Sequence, residues 1–386
     1  MRNIAIAAGL ALCIGATMSA LGGASAETLK FGVVAPLTGG GAPWGIAGDQ
    51  AARIAAADIN ATGGLDVGGK KYQIQVISYD DQFKTADAVG AYNRLVNQDG
   101  VKFMIVETSN AATALKGSIE SDKVIALSSG TGAKVVDETN HYLYRWYSAP
   151  RDYMPPLVDW MKANLKGKTI AILNPNIEGA FEQKDLANDL YKKAGFVVVG
   201  SDVYEMSEKD FAPLLTKVIA LHPDIIDFGS SAPATAALLV RQARELGYKG
   251  QLFKSSGPGP RDIVNGAGKE VAEGMINFVY ADPANAEYQR ISAIFKKNIG
   301  QDPNDMFLPA YDAMLTVFRA IQKGGDVDDT SKAQVAMAQV LPTKSIMGDD
   351  ISLGGKSTYG SDREFITTNY MAQIRDGVPV VIGKIK

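Results

Sequence analysis

Two α/β lobes, each a doubly wound parallel sheet with helices on both faces, are the architecture this sequence predicts, and three observations predict it. Apolar runs of strand length alternate with longer stretches of helical periodicity along most of the chain. The alternation runs twice, once on each side of an aromatic segment at residues 142–147 that reads as a crossing between lobes. The length, 386 residues, exceeds one core of ordinary size and suits two domains of about 150 residues each.

The first series opens with an apolar run over residues 29–35 that ends at Pro36, followed by Ala and Ile at helical spacing over 44–59 until Gly63-Gly64 stops the helix. Alternation over 72–79 predicts a strand, 84–98 a helix, 102–106 a buried strand, 109–121 a helix and 124–128 a strand. The second series runs through helix 152–165, strand 169–173, helix 181–194, strand 197–204, helix 211–221, strand 225–229, helix 233–246 and strands 251–254 and 275–280. Helices 288–298 and 308–323 follow. The tail from Ile351 reads as β-rich turns, with strands 369–375 and 378–385 around Asp376-Gly377 as a hairpin beside the hinge. No sequence repeat relates the two series. The expected organisation is a leader over 1–26, lobe 1 mainly over 27–147, lobe 2 mainly over 148–278, returning segments shared by the lobes over 279–350, and a β-rich C-terminal segment over 351–386 near the hinge.

The first 26 residues read as a secretory signal: Arg2 supplies the positive start, 4–16 the apolar run and Ala24-Ser25-Ala26 the cleavage site, so the exported chain is expected to begin at Glu27 and to reach the periplasm. Nucleotides and nicotinamide cofactors are scarce there, so the crevice of such a fold is expected to capture a solute and to hold no cofactor. The one cysteine, Cys13, lies in the leader after Leu10-Ala11-Leu12, which leaves no disulfide in the exported chain and is a poor context for lipid attachment. No later stretch approaches about 18 uninterrupted apolar residues, so no membrane span is expected. The net charge is -3, and -4 once Arg2 is removed, which argues against a nucleic-acid or membrane-surface partner.

Polar turns at strand ends are the candidate site. Thr108-Ser109-Asn110-Ala111-Ala112-Thr113 lies where a strand ends and a helix opens; Ser109 reads as the N-cap, with free amides behind it suited to an anion such as a carboxylate, or as a plain helix cap. Ser128-Ser129-Gly130-Thr131-Gly132 ends the next strand and would lie alongside it. Trp44, after Gly39-Gly40-Gly41-Ala42-Pro43, is expected on a loop at a strand's C-terminal end, as a ligand platform or as core. Those glycines lack the dinucleotide spacing, which discounts NAD and FAD. His141 and His222, the only histidines, have no second ligand at metal spacing, and no nucleophile elbow is present. Asp80-Asp81 reads as a contact to metal or substrate, or as a cap on the following helix. An exported enzyme would need an acid or base in the cleft, where only Asp80, Asp81 and Arg151 offer one. A receptor ectodomain would need a membrane helix after the fold.

With these residues in place, the chain resembles the periplasmic solute-binding proteins of the branched-chain amino acid ABC-transporter family, which have the type I periplasmic-binding-protein fold. The resemblance is carried over the whole exported chain by Gly32-Val33-Val34-Ala35-Pro36-Leu37-Thr38-Gly39, Ala57-Asp58-Ile59-Asn60-Ala61-Thr62-Gly63-Gly64-Leu65, Tyr79-Asp80-Asp81, Asp210-Phe211, Arg241-Gln242-Ala243-Arg244-Glu245-Leu246-Gly247, Glu273-Gly274 and Tyr311-Asp312-Ala313. It implies two lobes joined by three crossings that close over a ligand, delivery of that ligand to a membrane permease, a monomer, and no catalysis. It also implies that Trp44 lies against the ligand, that Ser109 hydrogen-bonds a ligand carboxylate, and that the turn of Gly130 and Gly132 lends backbone groups. Gly132 stands where amino-acid binders carry a hydroxyl, a contact that is lost or comes from Ser129 or Thr131. In the second lobe the acid that would meet an α-ammonium aligns with Ser256 and the usual tyrosine with Gly179, while another first-lobe acid aligns near Pro150-Arg151.

A buried ammonium without a carboxylate is costly, so these departures favour an aromatic or other organic acid, with a branched-chain amino acid or an amide or urea-type ligand as alternatives. Trp146, Tyr147, Tyr153 and Phe181 fall near loops that would line the cleft. The candidate contacts are Trp44, Ser109, Asn110, Ser129, Gly130, Thr131, Gly132, Tyr147 and Arg151, with Phe181, Ser231 and Ser256 from the second lobe.

Overall fold

The computed structural model describes residues 27–257 and 259–385; the expected leader, with Cys13 and the cleavage site at Ala26, lies outside them. The first series of strands is β1 (Glu27–Ala35), β2 (Leu65–Val67), β3 (Lys70–Asp80), β4 (Phe103–Val106), β5 (Ile125–Ser128) and β6 (Leu143–Arg145). The second is β7 (Thr169–Pro175), β8 (Val197–Tyr204), β9 (Ile225–Asp227), β10 (Gln251–Lys254) and β11 (Ile276–Val279). The tail adds β12 (Thr343–Lys344), β13 (Asp350–Gly354), β14 (Glu364–Ile366), β15 (Asn369–Arg375) and β16 (Val378–Ile385).

These form two sheets. The first has the order β12-β13-β14-β6-β5-β4-β1-β3-β2 and the second β16-β15-β11-β10-β9-β7-β8. Each contains a five-stranded parallel core, β3-β1-β4-β5-β6 and β8-β7-β9-β10-β11. Numbered within its own series of crossovers, each core has the doubly wound order 2-1-3-4-5, which creates a crevice at the C-terminal ends of its strands where the winding reverses. The sheets are mixed rather than purely parallel, because β2, β13, β15 and β16 pair antiparallel at their edges. Central strands are buried on both faces and read as apolar runs, as β4 does with Phe103, Met104, Ile105 and Val106. The edge strand β8 is mostly exposed or half-buried.

Helices α1 (Ala42–Ala61), α2 (Thr85–Asn97) and α3 (Ser109–Asp122) cover the first core, and α4 (Pro150–Asn164), α5 (Glu178–Ala194), α6 (Ala212–Ile219), α7 (Pro233–Glu245), α8 (Pro260–Ala267) and α9 (Lys269–Ala272) belong with the second. Then α10 (Ala286–Ile299) and α11 (Phe307–Gly324) return to pack on α1, and α12 (Thr330–Val340) packs on α11. The chain therefore passes between the sheets three times, after β6, after β11 and between β14 and β15. The tail is divided accordingly: β12 to β14 extend the first sheet and β15 and β16 the second. The open end of the last hairpin, Asn369 and Ile385, borders Ser148 and Tyr153 at a crossing. Its turn at Asp376-Gly377 packs at Lys269 on α9.

Two fully buried side chains fasten the crossings. Arg145, the last residue of β6, ion-pairs with Glu364, the first residue of β14, and donates from Nε to the Gly130 carbonyl at 2.7 Å and from Nη2 to the Gly132 carbonyl at 2.8 Å. The second carboxylate oxygen of Glu364 accepts from the Ala149 amide at 2.7 Å, at the start of α4. Removing one member strands the other charge in the core, so Arg145→Met should lose about 3–5 kcal/mol in denaturant unfolding. A loss under about 1 kcal/mol would show that the pair does not hold the crossings.

Candidate functional site

The two crevices face each other and form one cleft of about 620 Å³, its open mouth included. Its first wall is built from the segments that follow the strands of the first core: Trp44 after β1, Phe83 after β3, Thr108, Ser109 and Asn110 after β4, Ser129, Gly130 and Thr131 after β5, and Tyr147 after β6. The opposite wall follows the same rule: Ile177, Glu178, Gly179 and Ala180 come after β7, Ser230 after β9, Ser256 and Gly257 after β10, and Tyr280 after β11, with Met306 ahead of α11.

One pole is the N-terminus of α3. The N-cap of α3 is Thr108, not Ser109: the Thr108 backbone is extended and its hydroxyl accepts from the Ala111 amide at 3.4 Å. Ser109 and Asn110 are the first helical residues, so their amides have no partner one turn earlier, and both residues line the cleft at the positive end of the helix. Ser109 Oγ also accepts from the Gly132 amide at 3.2 Å, which joins the two polar turns into one surface. Beside this surface, on the second lobe, stands Glu178. A β-carbon added at Gly132 would lie 3.4 Å from Glu178 Oε1 and 3.6 Å from Ser109 Oγ, so the carboxylate and the serine flank the same point. Burial, with Glu182 nearby, raises the Glu178 pKa, and Lys134 opposes the rise. Glu178 is the only acidic or basic side chain among the described lining residues.

The rest of the lining is largely apolar or aromatic. Trp44 and Phe83 have ring centroids 5.8 Å apart, and Tyr147 meets Tyr280 edge-on at 4.9 Å. Trp44 sits in the first turn of α1, which starts at Ala42, rather than on a loop. Asp80 and Asp81 neither line the cleft nor cap α2, whose N-cap is Lys84. They brace the turns that carry the aromatics: Asp80 accepts from the Leu37 amide at 2.9 Å and the Gln82 amide at 2.8 Å, and Asp81 from the Phe83 amide at 2.8 Å. Gln82 and Phe83 both have positive φ, and these bonds hold them there.

Trp44, Ser109, Asn110, Ser129, Gly130, Thr131, Tyr147 and Ser256 are thus brought together on the cleft walls, whereas Gly132, Arg151, Phe181 and Ser231 are not. Gly132 stands behind Ser109. Arg151 and Phe181 are exposed in the first turns of α4 and α5. Ser231 is buried, with its hydroxyl donating to the Phe228 carbonyl and accepting from Tyr204 at 2.5 Å. Trp146 is buried in the core, and Tyr153 stands behind Ser256, to whose hydroxyl it donates at 2.7 Å. Phe83, Glu178, Ser230, Gly257, Tyr280 and Met306 were not among the expected contacts. Five of the six follow strand ends, a signal that the doubly wound rule supplies once it is applied to every strand of both series.

The lobes touch across the cleft. The Ala133 amide donates to Glu182 Oε2 at 2.6 Å, and a β-carbon at Gly179 would stand 2.2 Å from Thr131 Oγ1. Glycine at 179 is what lets α5 approach this closely.

The sequence profile described as periplasmic binding protein matches residues 28–378, and the chain belongs to that family. It is 29% identical over 330 residues to the leucine-, isoleucine-, valine-, threonine- and alanine-binding protein of Pseudomonas aeruginosa, covering 83% of this chain and 84% of that one. Among solved structures it resembles a leucine binding protein of Thermotoga maritima, with a TM-score of 0.80, 19% identity and coverage of 93% and 99% of the two chains. It also resembles an ABC-transporter solute binding protein of R. palustris in complex with benzoate, with a TM-score of 0.78, 18% identity and coverage of 93% and 96%.

Beneath the first wall lies Glu107, fully buried. It receives the Ser129 hydroxyl, and its Oε2 has no hydrogen-bond partner among the described residues. Burial raises its pKa from 4.5 to about 8; the Ser129 hydroxyl opposes the rise and Asp81 adds to it. The folded chain thus keeps a proton that the unfolded chain loses above pH 4.5, and stability contributed by this site falls as pH rises from about 4.5 to about 8. Glu107→Gln should remove that part of the decline, so melting midpoints at pH 5, 6, 7 and 8 should fall less steeply than in the wild type. Parallel curves would mean that Glu107 is not protonated in the fold.

Proposed function

We propose that this chain is an extracytoplasmic solute-binding protein that captures a small α-amino acid between its lobes and delivers it to an ABC-transporter permease. In this reading it is exported by cleavage after Ala26 and acts in the periplasm as a monomer, without cofactor, catalysis or nucleic-acid partner. The observation that carries it is that the one carboxylate of the described lining, Glu178 on the second lobe, shares the cleft with Ser109 and Asn110 at the N-terminus of α3 on the first. An α-amino acid carries a carboxylate and an ammonium on one carbon, and a helix N-terminus facing an acid offers a partner for each charge. The argument for an amine-free organic acid rested on the departures at Ser256, Gly179 and near Pro150-Arg151; Glu178 offers a second-lobe acid from a different strand end and bears on the first of these.

An aromatic acid is the second reading, favoured by Trp44, Phe83, Tyr147 and Tyr280 on the walls and by the raised pKa of Glu178, which in its protonated form would donate to a carboxylate. The benzoate-bound R. palustris protein has a similar fold.

A thermal-shift screen of residues 27–386 against amino acids and aromatic acids, followed by calorimetry, separates the readings. A ligand at a hundred times its Kd adds about 2.7 kcal/mol, a shift of a few degrees. Glu178→Gln should weaken an amino acid by about 10- to 100-fold, the worth of a charge-assisted bond, while Ser109→Ala weakens any carboxylate ligand. Shifts with benzoates alone, retained in Glu178→Gln, would overturn the amino-acid reading.

A further inference from the structure

Lys254 ends β10 and is buried, 1% exposed, directly behind the second-lobe wall. Its ammonium has three donors, and the carbonyl of Ser256 receives one of them. The nearest acids are committed elsewhere. Asp227 accepts from the Tyr191 and Ser255 hydroxyls at 2.8 and 2.7 Å and from the Gly229 and Ser255 amides, and Asp305 accepts from the Gly259 and Tyr280 amides at 2.9 and 2.7 Å. Neither forms an ion pair with Lys254 among the described residues. Burial lowers the lysine's pKa to about 7 against the opposing influence of Asp305 and Asp227, as expected for a cation short of counter-charge.

What stands between this ammonium and the cleft is Gly257. It lines the cleft, its φ is +73, and a β-carbon there would lie 2.9 Å from Lys254 Nζ. The cleft lining that follows β10, next to the lysine, is Ser256 and Gly257, a hydroxyl and bare backbone, with Tyr280 following the neighbouring strand β11 and Trp44, Phe83 and Tyr147 on the first wall. An apolar ligand group pressed against this wall would leave the lysine to shed its proton, whereas an anionic group would hold it as the ammonium and gain its charge as a partner.

We infer that Lys254 is a specificity-determining residue that selects a second carboxylate at the second-lobe end of the cleft, so that the ligand is an acidic α-amino acid. The inference rests on the amino-acid reading above for the placement of the first carboxylate and the amine. Glutamate and glutamine differ in that one charge at nearly constant shape, as do aspartate and asparagine, so the ratio of their affinities isolates it.

Calorimetry on the exported chain, residues 27–386, should give at least a tenfold preference for the charged member of one of these pairs. In Lys254→Met the ratio should collapse toward one. A purely structural role for Lys254 would weaken both members alike and leave the ratio in place, which would overturn the assignment. Should Lys254→Met fail to fold, the wild-type ratio decides alone: equal binding, a preference for the amide, or binding of leucine and valine only would overturn the inference and leave the amino-acid reading standing. Binding of glutarate but of no amino acid, with the loss of affinity in Lys254→Met, would overturn the amino-acid reading and keep the role of Lys254. No shift with any of these acids would overturn both.

Discussion

The buried guanidinium of Arg145 is the constraint on which the first wall of the cleft depends. It takes the carbonyls of Gly130 and Gly132 and the carboxylate of Glu364 at once. A trans peptide points its C=O and the following N–H in opposite directions. Drawing the Gly130 carbonyl toward the core therefore turns the Thr131 amide away from it, and drawing the Gly132 carbonyl inward turns the Ala133 amide outward, where it meets Glu182 of the other lobe. One side chain thus sets which way a glycine-rich turn presents its donors, and Glu364 carries the constraint on to the Ala149 amide at the first crossing. Placing a charged pair in the core costs desolvation, which planar multidentate bonding offsets and which the geometry of the turn justifies.

Local chemistry is what the sequence displays best, and the first wall is made of it. Thr108-Ser109 and Ser128-Ser129-Gly130-Thr131 are polar turns after apolar strands, legible without any tertiary knowledge, and the alternation that revealed them also predicts most strands of both cores. The cap shifted by one residue because threonine and serine compete for that position and extended backbone at Thr108 decides it. The second wall was less legible. A glutamate in the first turn of a helix, as Glu178 is, reads as an ordinary complement to the helix dipole, and a lysine at the end of a strand reads as exposed. Only the place of β10 between β9 and β11, with Asp227 and Asp305 close by, makes Lys254 an interior residue.

The returning segments fail to show for a different reason. Strand β14 has three residues and a single registered pair with β6, so no periodicity marks it. Helix α12 mixes small and polar residues, Thr330-Ser331-Lys332-Ala333-Gln334, whose burial comes from α11 beside it rather than from an apolar stripe of its own. Met306 reaches the cleft ahead of α11, on a segment that has already returned to the first lobe, a property of topology that no window of sequence contains.

The two walls therefore act by different physics. The first presents backbone amides fixed by Arg145, Glu107 and a helix terminus, groups whose orientation is set before any partner arrives and which lose little freedom on binding. The second presents ionisable side chains, Glu178 at its face and Lys254 behind it, whose influence on a ligand is strong only where water is excluded. Contact between the lobes limits water at this end, and the bare backbone at Gly179 permits it by letting the helix come against Thr131, while at Gly257 a β-carbon would meet the buried Lys254 amine. A charge recognised in this cleft would therefore depend on that contact, because the approach that sets Glu178 near Ser109 also excludes solvent that would screen it.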